Sequence, residues 1–264
     1  MSEPMELKQR VIRDVTVAFL EAGRGRPLVY LHGGFGLTGH EAFIGHLAER
    51  FRVIAPDLPG FGATELPRSW NVVDDLACFG LDLLAEFGLD DALLAGSCLG
   101  GWVAAEMAVR STGRLRGLVL IDATGLKFGD HLTREITDIH AMGEGEQVET
   151  LYADPSRARR DTAAMSDQEL AALVRNRESF ALFGWKPYMH NPVLRRWVHR
   201  IDVPALVLWG EQDRMVTTDY GRNWAAALPD ATFELVRDAG HYPAVEQPGA
   251  SANRIISWSE ETVS

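Results

Sequence analysis

The six residues Gly96-Ser97-Cys98-Leu99-Gly100-Gly101 constrain this chain more than any other stretch. An apolar run, Leu93-Leu94-Ala95, precedes them, and an amphipathic run, Trp102 to Arg110, follows. A strand, a sharp glycine-bounded turn and a helix form the context in which a nucleophile elbow works. Small residues at both ends let the chain fold back and push the central side chain out at the strand end. A frame centred on Cys98 has Gly96 and Gly100 at its small positions. A frame centred on Ser97 would put the bulky Leu99 at the far small position. Cys98 is therefore the expected exposed thiol, with Ser97 a flanking residue expected to touch substrate.

The elbow sits within a strand–helix alternation. Val11 to Glu21 reads as extended and Pro27 to Leu31 as a buried strand running into His32-Gly33-Gly34-Phe35-Gly36. His40 to Arg50 has helical spacing, and Phe51 to Ala55 is a strand entering the turn-rich Pro56 to Gly62. Asn71 is the expected cap of a helix over Val72 to Phe87, on which Cys78 reads as packing. Leu115 to Ile121 is another apolar strand. From Ala123 to about Arg200 the strands stop, and Arg134 to Met142, Asp167 to Leu182 and Pro192 to His199 read as helical. Alternation resumes with strands at Ala205 to Trp209 and Thr232 to Val236, helix at Tyr220 to Leu228, and a closing helix around Ile255 to Trp258. The pattern predicts an α/β fold: a mostly parallel sheet covered on both faces, made of residues 1–123 and 201–264, with 124–200 a helical cap.

The net charge of −11 argues against nucleic acid or an anionic membrane as partner, since both need a basic face. The first ten residues show no apolar signal region, and no apolar run approaches membrane-spanning length. Two cysteines in 264 residues make no disulfide framework and fit a reduced, cytoplasmic setting. No Cys/His cluster has zinc spacing, so neither metal nor cofactor is expected. The expected partner is a small-molecule substrate, and a homodimer is compatible with the sequence.

A nucleophile needs a base, and the base needs an orienting group. Asp213 follows a strand in Gly210-Glu211-Gln212-Asp213, with Glu211 a competing acid, and His241 follows the last strand. The order nucleophile, acid, histidine suits an elbow. The N–H of Leu99, at a helix start, and that of Gly34, with Phe35 as neighbour, are the expected oxyanion donors. A helix beginning at Leu99 also favours negative charge at Cys98. His32 reads as structural beside the glycine loop. His40, His46, His131, His140 and His199 read as surface or packing residues, and His190 as a substrate contact.

Leu31-His32-Gly33-Gly34, Pro56 to Gly62, the elbow, Trp209 to Asp213 and Gly240-His241, in this order, resemble the α/β-hydrolase superfamily over nearly the whole chain. The segment at 124–200 resembles the helical cap of the meta-cleavage-product and epoxide-hydrolase-like branch. The resemblance prefers Asp213 over Glu211 as the acid. It implies a hydrolase with a Cys98–His241–Asp213 triad and says nothing of the substrate; the chemistry of a thiol nucleophile points to an ester, lactone or thioester cleaved through a thioester acyl-enzyme. Acyl transfer, carbon–carbon bond hydrolysis of a dienoic ketone acid, and simple ligand binding are the alternatives. The elbow departs from that branch, whose nucleophile is Ser or Asp, and is similar to the cysteine elbow of dienelactone hydrolases, which lack such a cap. A cysteine exchanged for an elbow serine fits the same residues. In the cap, Phe180, Phe183, Trp185, Tyr188 and Met189 cluster around Gly184 and Pro187. Packing is one reading of them, and a pocket lined by Phe183, Trp185, Tyr188 and His190 is the other. Arg175, Arg177 and Lys186 read as a solvated face that a substrate carboxylate can also meet.

Overall fold

A computed structural model describes residues 5–130, 132–158 and 164–263. Eight strands form one sheet in the order β1-β2-β4-β3-β5-β6-β7-β8. The strands are β1 (Glu6–Ile12), β2 (Val15–Ala22), β3 (Arg26–Leu31), β4 (Phe51–Pro56), β5 (Ala92–Ser97), β6 (Leu115–Ile121), β7 (Ala205–Gly210) and β8 (Ala231–Val236). From β4 to β8 every neighbouring pair is parallel, while β1 and β2 are antiparallel. The extended stretch expected over 11–21 is a hairpin, folded at Arg13, whose φ is 53°. Alternation persists on both sides of such a tight turn, so apolar spacing alone did not separate the strands.

The central strands are buried on both faces, as parallel strands flanked by helices must be. One face carries α2 (Val73–Glu86), α3 (Leu99–Arg110) and α6 (Thr218–Ala227), whose apolar stripes meet one continuous core. The other carries α1 (Glu41–Leu47) and α8 (Pro248–Thr262). α2 buries Leu76, Leu83 and Leu84 at helical spacing. Asn71 is not its cap: Val72 is, and the Asp75 carboxylate accepts the Asn71 and Val72 N–H groups at 3.1 and 3.3 Å. Cys78 lies on the solvent side of this helix rather than in its packing.

Between β6 and β7 no described residue joins the sheet. This segment holds α4 (Glu144–Leu151), α5 (Asp167–Gly184) and short single turns at Ile139–Ala141, Leu194–Arg196 and Val198–Arg200. The helix expected over 134–142 is mostly loop, bridged to Val216 through Ile136. α5 begins at a capping box, in which Ser166 and Glu169 satisfy each other's backbone N–H. Among the described residues no helix is long and apolar enough to cross a membrane.

Candidate active site

Cys98 occupies the single residue between β5 and α3, with φ 51° and ψ −115°. That backbone is strained for a residue bearing a side chain. Four close approaches impose it. A Cβ on Gly96 would strike the Gly100 carbonyl, and one on Gly100 would strike the Leu31 and His32 carbonyls. A Cβ on Gly101 would lie 2.5 Å from the Ala123 Cβ, and one on Gly33 would lie 3.2 Å from the Cys98 Cβ. Only glycine lets the helix start and the β3 loop close on the thiol together.

Ser97, expected at the substrate, is not there. Its hydroxyl pairs with that of Tyr30 at 2.8 Å, in the core beneath the α1 and α8 face. Successive strand residues point to opposite faces, so the residue beside an elbow nucleophile is turned away from it.

His241 lies on the loop after β8. Its Nδ1 donates to Asp213 Oδ2 at 2.8 Å, both side chains being fully buried. Asp213 Oδ1 accepts the Met215 and Val216 N–H groups at 2.8 and 2.9 Å. Glu211 is exposed and takes no part. Burial alone would lower the basicity of His241, but the charges of Asp213 and Cys98 outweigh it and hold the ring well above the ordinary histidine pKa. Its Nε2 is buried with no hydrogen-bond partner among the described residues. Loose contacts of this kind are common in catalytic pairs without substrate.

The glycine loop folds as a turn closed by Gly36 N–H on the Gly33 carbonyl at 3.2 Å, leaving Gly34 and Phe35 at its centre. Leu99 is the first residue of α3, so its N–H has no partner within the helix. His32 fastens the loop from below. Its Nε2 accepts the Leu58 N–H at 3.0 Å, so Nδ1 carries the proton given to the Gly33 carbonyl at 2.7 Å. Burial pushes its pKa down to about 4, keeping the ring neutral in that role.

The segment between β6 and β7 closes over these groups. The Phe180 ring fills the space where a Gly34 side chain would stand. Phe35 and His140 meet that ring edge-on or tilted at 5.7 and 5.2 Å. Asn176 spans two loops, with Nδ2 donating to the Phe35 carbonyl at 3.0 Å and Oδ1 accepting the Gly62 N–H at 2.8 Å. Ser179 donates to the Gly60 carbonyl at 2.5 Å, and Arg175 to that of Gly62. The His241 N–H donates to the Leu151 carbonyl at 2.8 Å, and Glu246 takes the N–H groups of Ala153, Asp154 and Gly240. Cys98 and His241 are consequently sealed, at 0% and 1% exposure.

The residues expected to line a pocket divide. Phe183 is buried against Phe61, with rings stacked at 6.4 Å, and is packing. Trp185, Tyr188 and His190 line a cleft of about 610 Å³ with Leu126, Ile136 and Pro192. Tyr188 also donates to the Thr137 carbonyl and accepts the Ile139 N–H. His131 lies outside the described residues.

Sequence reasoning missed Asp122, Asn176 and Glu246. Asp122 had a signal, an acid closing the uncharged run Gly117 to Ile121. Asn176 and Glu246 had none, being polar residues on helices whose burial only the tertiary contacts create.

A strained elbow on a mostly parallel sheet, with a carboxylate after β7 and an imidazole after β8, defines an α/β-hydrolase arrangement. The alpha/beta hydrolase family model matches residues 28–254, and the chain belongs to that family. It is 26% identical to a 2-hydroxy-6-oxo-6-phenylhexa-2,4-dienoate hydrolase of Burkholderia cepacia, over 94% of this chain and 93% of that one. It is 28% identical to a putative non-heme haloperoxidase of Mycobacterium phage D29, over 88% of this chain and 87% of that one. Among solved structures, a serine hydrolase involved in carbazole degradation superposes with a TM-score of 0.81 at 22% identity, covering 98% of this chain and 100% of that one.

Proposed function

We propose that this α/β hydrolase cleaves an ester, lactone or thioester with Cys98 as nucleophile, His241 as acid–base and Asp213 as its orienting partner. The observation that carries the reading is the position of Cys98, which alone occupies the strained elbow between β5 and α3. His241, held by Asp213, supports it.

In the first step the Cys98 thiolate attacks the carbonyl carbon, forming a C–S bond and an oxyanion. The N–H groups of Leu99 and of Gly34 or Phe35 receive that charge. Collapse expels the alcohol or thiol, which takes its proton from the His241 imidazolium. Water then gives a proton to His241 Nε2 and attacks the thioester, and the thiolate leaves. A thiolate leaves far more readily than an amine, so attack on an amide reverts to substrate, whereas a protonated alcohol or thiol departs, which favours esters and thioesters over amides.

The segment over residues 124–200 acts as the cap, excluding bulk water from Cys98 and His241 while the acyl group is transferred. Both cysteines are free thiols, which fits a reducing compartment such as the cytoplasm. A second reading, hydrolysis of a carbon–carbon bond in a dienoic ketone acid, draws on the Burkholderia cepacia relative. The elbow cysteine favours the first, because an acyl–sulfur intermediate needs only an activated carbonyl.

Cys78 is exposed and Cys98 is not, so iodoacetamide reaches Cys98 only when the cap segment opens. Intact-protein mass spectrometry after mixing with a panel of aryl esters, lactones and acyl thioesters tests the function. An acyl adduct mapping to Cys98, turning over with release of acid, is expected. Turnover with no adduct on Cys98 in any quenched sample, and retained in Cys98→Ala, sinks the proposal.

The raised pKa of His241 sets the pH dependence. The His241 imidazolium, held by Asp213, is present below that pKa and is lost as pH rises through it. Leaving-group protonation therefore persists past the ordinary histidine value and fails on the alkaline side. The stability the charged His241 ring contributes follows the same sign: full below the unfolded pKa of about 6.5, lost as pH climbs through the folded one.

A further inference from the structure

One buried ionisable group has no part in that mechanism. Asp122 follows the last residue of β6, is fully buried and has a φ of 44°. Its backbone N–H donates to the Leu208 carbonyl at 3.0 Å, and its Oδ1 accepts the Gly210 N–H at 2.9 Å. Its Oδ2 receives no donor among the described residues. One oxygen of Asp122, one of Asp213 and one ring nitrogen of His241 all lie within 4.8 Å of one another.

We propose that Asp122 is a neutral carboxylic acid whose Oδ2 proton is donated to the carboxylate of Asp213, making Asp122 a positioning residue for the acid that orients His241. An ionised Asp122 would leave one oxygen in the core with no donor, facing a second carboxylate, which is the costliest arrangement available to it. A single shared proton satisfies both oxygens. Asp213 already accepts three N–H groups, from Met215, Val216 and His241, and a carboxylate has room for a fourth donor. Asp213 and His241 are the charged groups acting on Asp122, and Tyr30 on β3 also feels it. Burial first, and then Asp213, drive its pKa well above the usual carboxylate range. A cation at this triangle would have to take the Asp213 oxygens and the ring nitrogen already engaged in these bonds. With Asp122 neutral, Asp213 stays the one charged carboxylate beside the imidazolium, and its rotation about the side-chain axis is held by the added bond.

The functional half of this inference rests on the triad reading, but its two spectroscopic tests need no substrate. Carbon-13 spectra of the unmodified protein, labelled at aspartate carboxyls, should contain one protonated resonance that does not titrate between about pH 5 and pH 8. It should vanish in Asp122→Asn. If every aspartate carboxyl titrates as an ordinary exposed acid, the proposal is overturned. The second measurement is the His241 Nδ1–H proton resonance. Asp122→Asn keeps both bonds, its carbonyl accepting Gly210 N–H and its amide donating to Asp213, so the resonance should stay in place. Asp122→Leu removes the donor, leaves Asp213 a stronger acceptor, and should move that proton downfield. Turnover should fall about tenfold to a hundredfold in the Leu variant, with KM nearly unchanged, and recover in Asn. A resonance that is identical in all three proteins overturns the positioning role. The carbon spectrum of the unmodified protein decides the protonation state even if the Leu variant does not fold. Absence of ester turnover would refute the functional reading and leave both spectra interpretable.

Discussion

Around Cys98 the chain is held backbone against backbone, whereas α5 is held over the facing loops by side chains reaching backbone. At the elbow, Gly96 abuts the Gly100 carbonyl, Gly100 abuts the ends of β3, and Gly210 abuts the Gly240 carbonyl on the His241 loop. No side chain can yield there, so an added methyl must move a strand or a helix. Across the site, Asn176, Ser179 and Arg175 each reach one or two carbonyls or N–H groups of the facing loops. Such bonds can be lost singly at about 1 kcal/mol each without displacing an element. The sheet ends therefore fix which atoms react, and the overlying helix tunes how firmly the oxyanion loop is held.

The sharpest way to break this contrast is at the nucleophile. Cys98→Ala should lower turnover by roughly 10⁴-fold or more while leaving the fold intact, measured as kcat/KM on the best ester together with a thermal melt. Cys98→Ser sharpens the result. A hydroxyl needs full general-base help from His241, so a site matched to sulfur should lose most of its turnover and keep binding. A faster Ser variant would mark the elbow as one built for oxygen.

Next in size is the acid. Asp213→Asn should cost about 10⁴-fold, because the amide offers His241 a donor where it needs an acceptor and favours the wrong tautomer. Glu211→Gln should change nothing, since that side chain points to solvent. Equal losses in both variants would place the orienting charge in the loop as a whole and not in one carboxylate.

Gly34→Ala joins the two regions. The new methyl would enter the Phe180 ring, so either the cap helix lifts or the turn bearing Gly34 and Phe35 shifts. A loss of about 10²–10³-fold in kcat, the scale of one lost oxyanion donor, is expected. Phe180→Leu should restore part of it by making room. Failure of the double variant to recover activity would trace the damage to the turn itself.

The sequence was legible where backbone geometry left a residue-type signature. The elbow glycines and the strands Pro27–Leu31 and Leu115–Ile121 follow from such signatures, whereas the preference for Asp213 came from the family resemblance. Asp213 and Glu211 could not be told apart by alternation, because both follow β7 in an irregular loop where period-two reasoning lapses. The region over 124–200 was harder. Its helices are set by contacts with distant loops, so the spacing over Arg134 to Met142 suggested a helix that the bridge to Val216 pre-empts. Ser97 misled for a different reason: adjacency to the nucleophile in sequence is opposition across the sheet.

The smallest effect tests the overlying helix alone. Asn176→Asp is nearly isosteric, and a carboxylate can still accept the Gly62 N–H that Asn176 now accepts at 2.8 Å. It cannot donate to the Phe35 carbonyl, which stands 3.0 Å from Nδ2 in the present arrangement. Two acceptors would face each other in a buried place, and the Phe35 carbonyl would turn away. Rotation of that peptide moves the Gly36 N–H that closes the turn and disturbs the Phe35 N–H preceding it. The expected result is about a tenfold fall in kcat with KM little changed, because only charge developed in the transition state feels the loop. Ser179→Ala is the control. It removes a bond of similar strength, to the Gly60 carbonyl, on a loop that carries no oxyanion donor. It should lower stability by about 1 kcal/mol and leave kcat alone. If both variants lower kcat equally, the helix acts by general docking of the cap, and Asn176 has no special hold on the oxyanion loop.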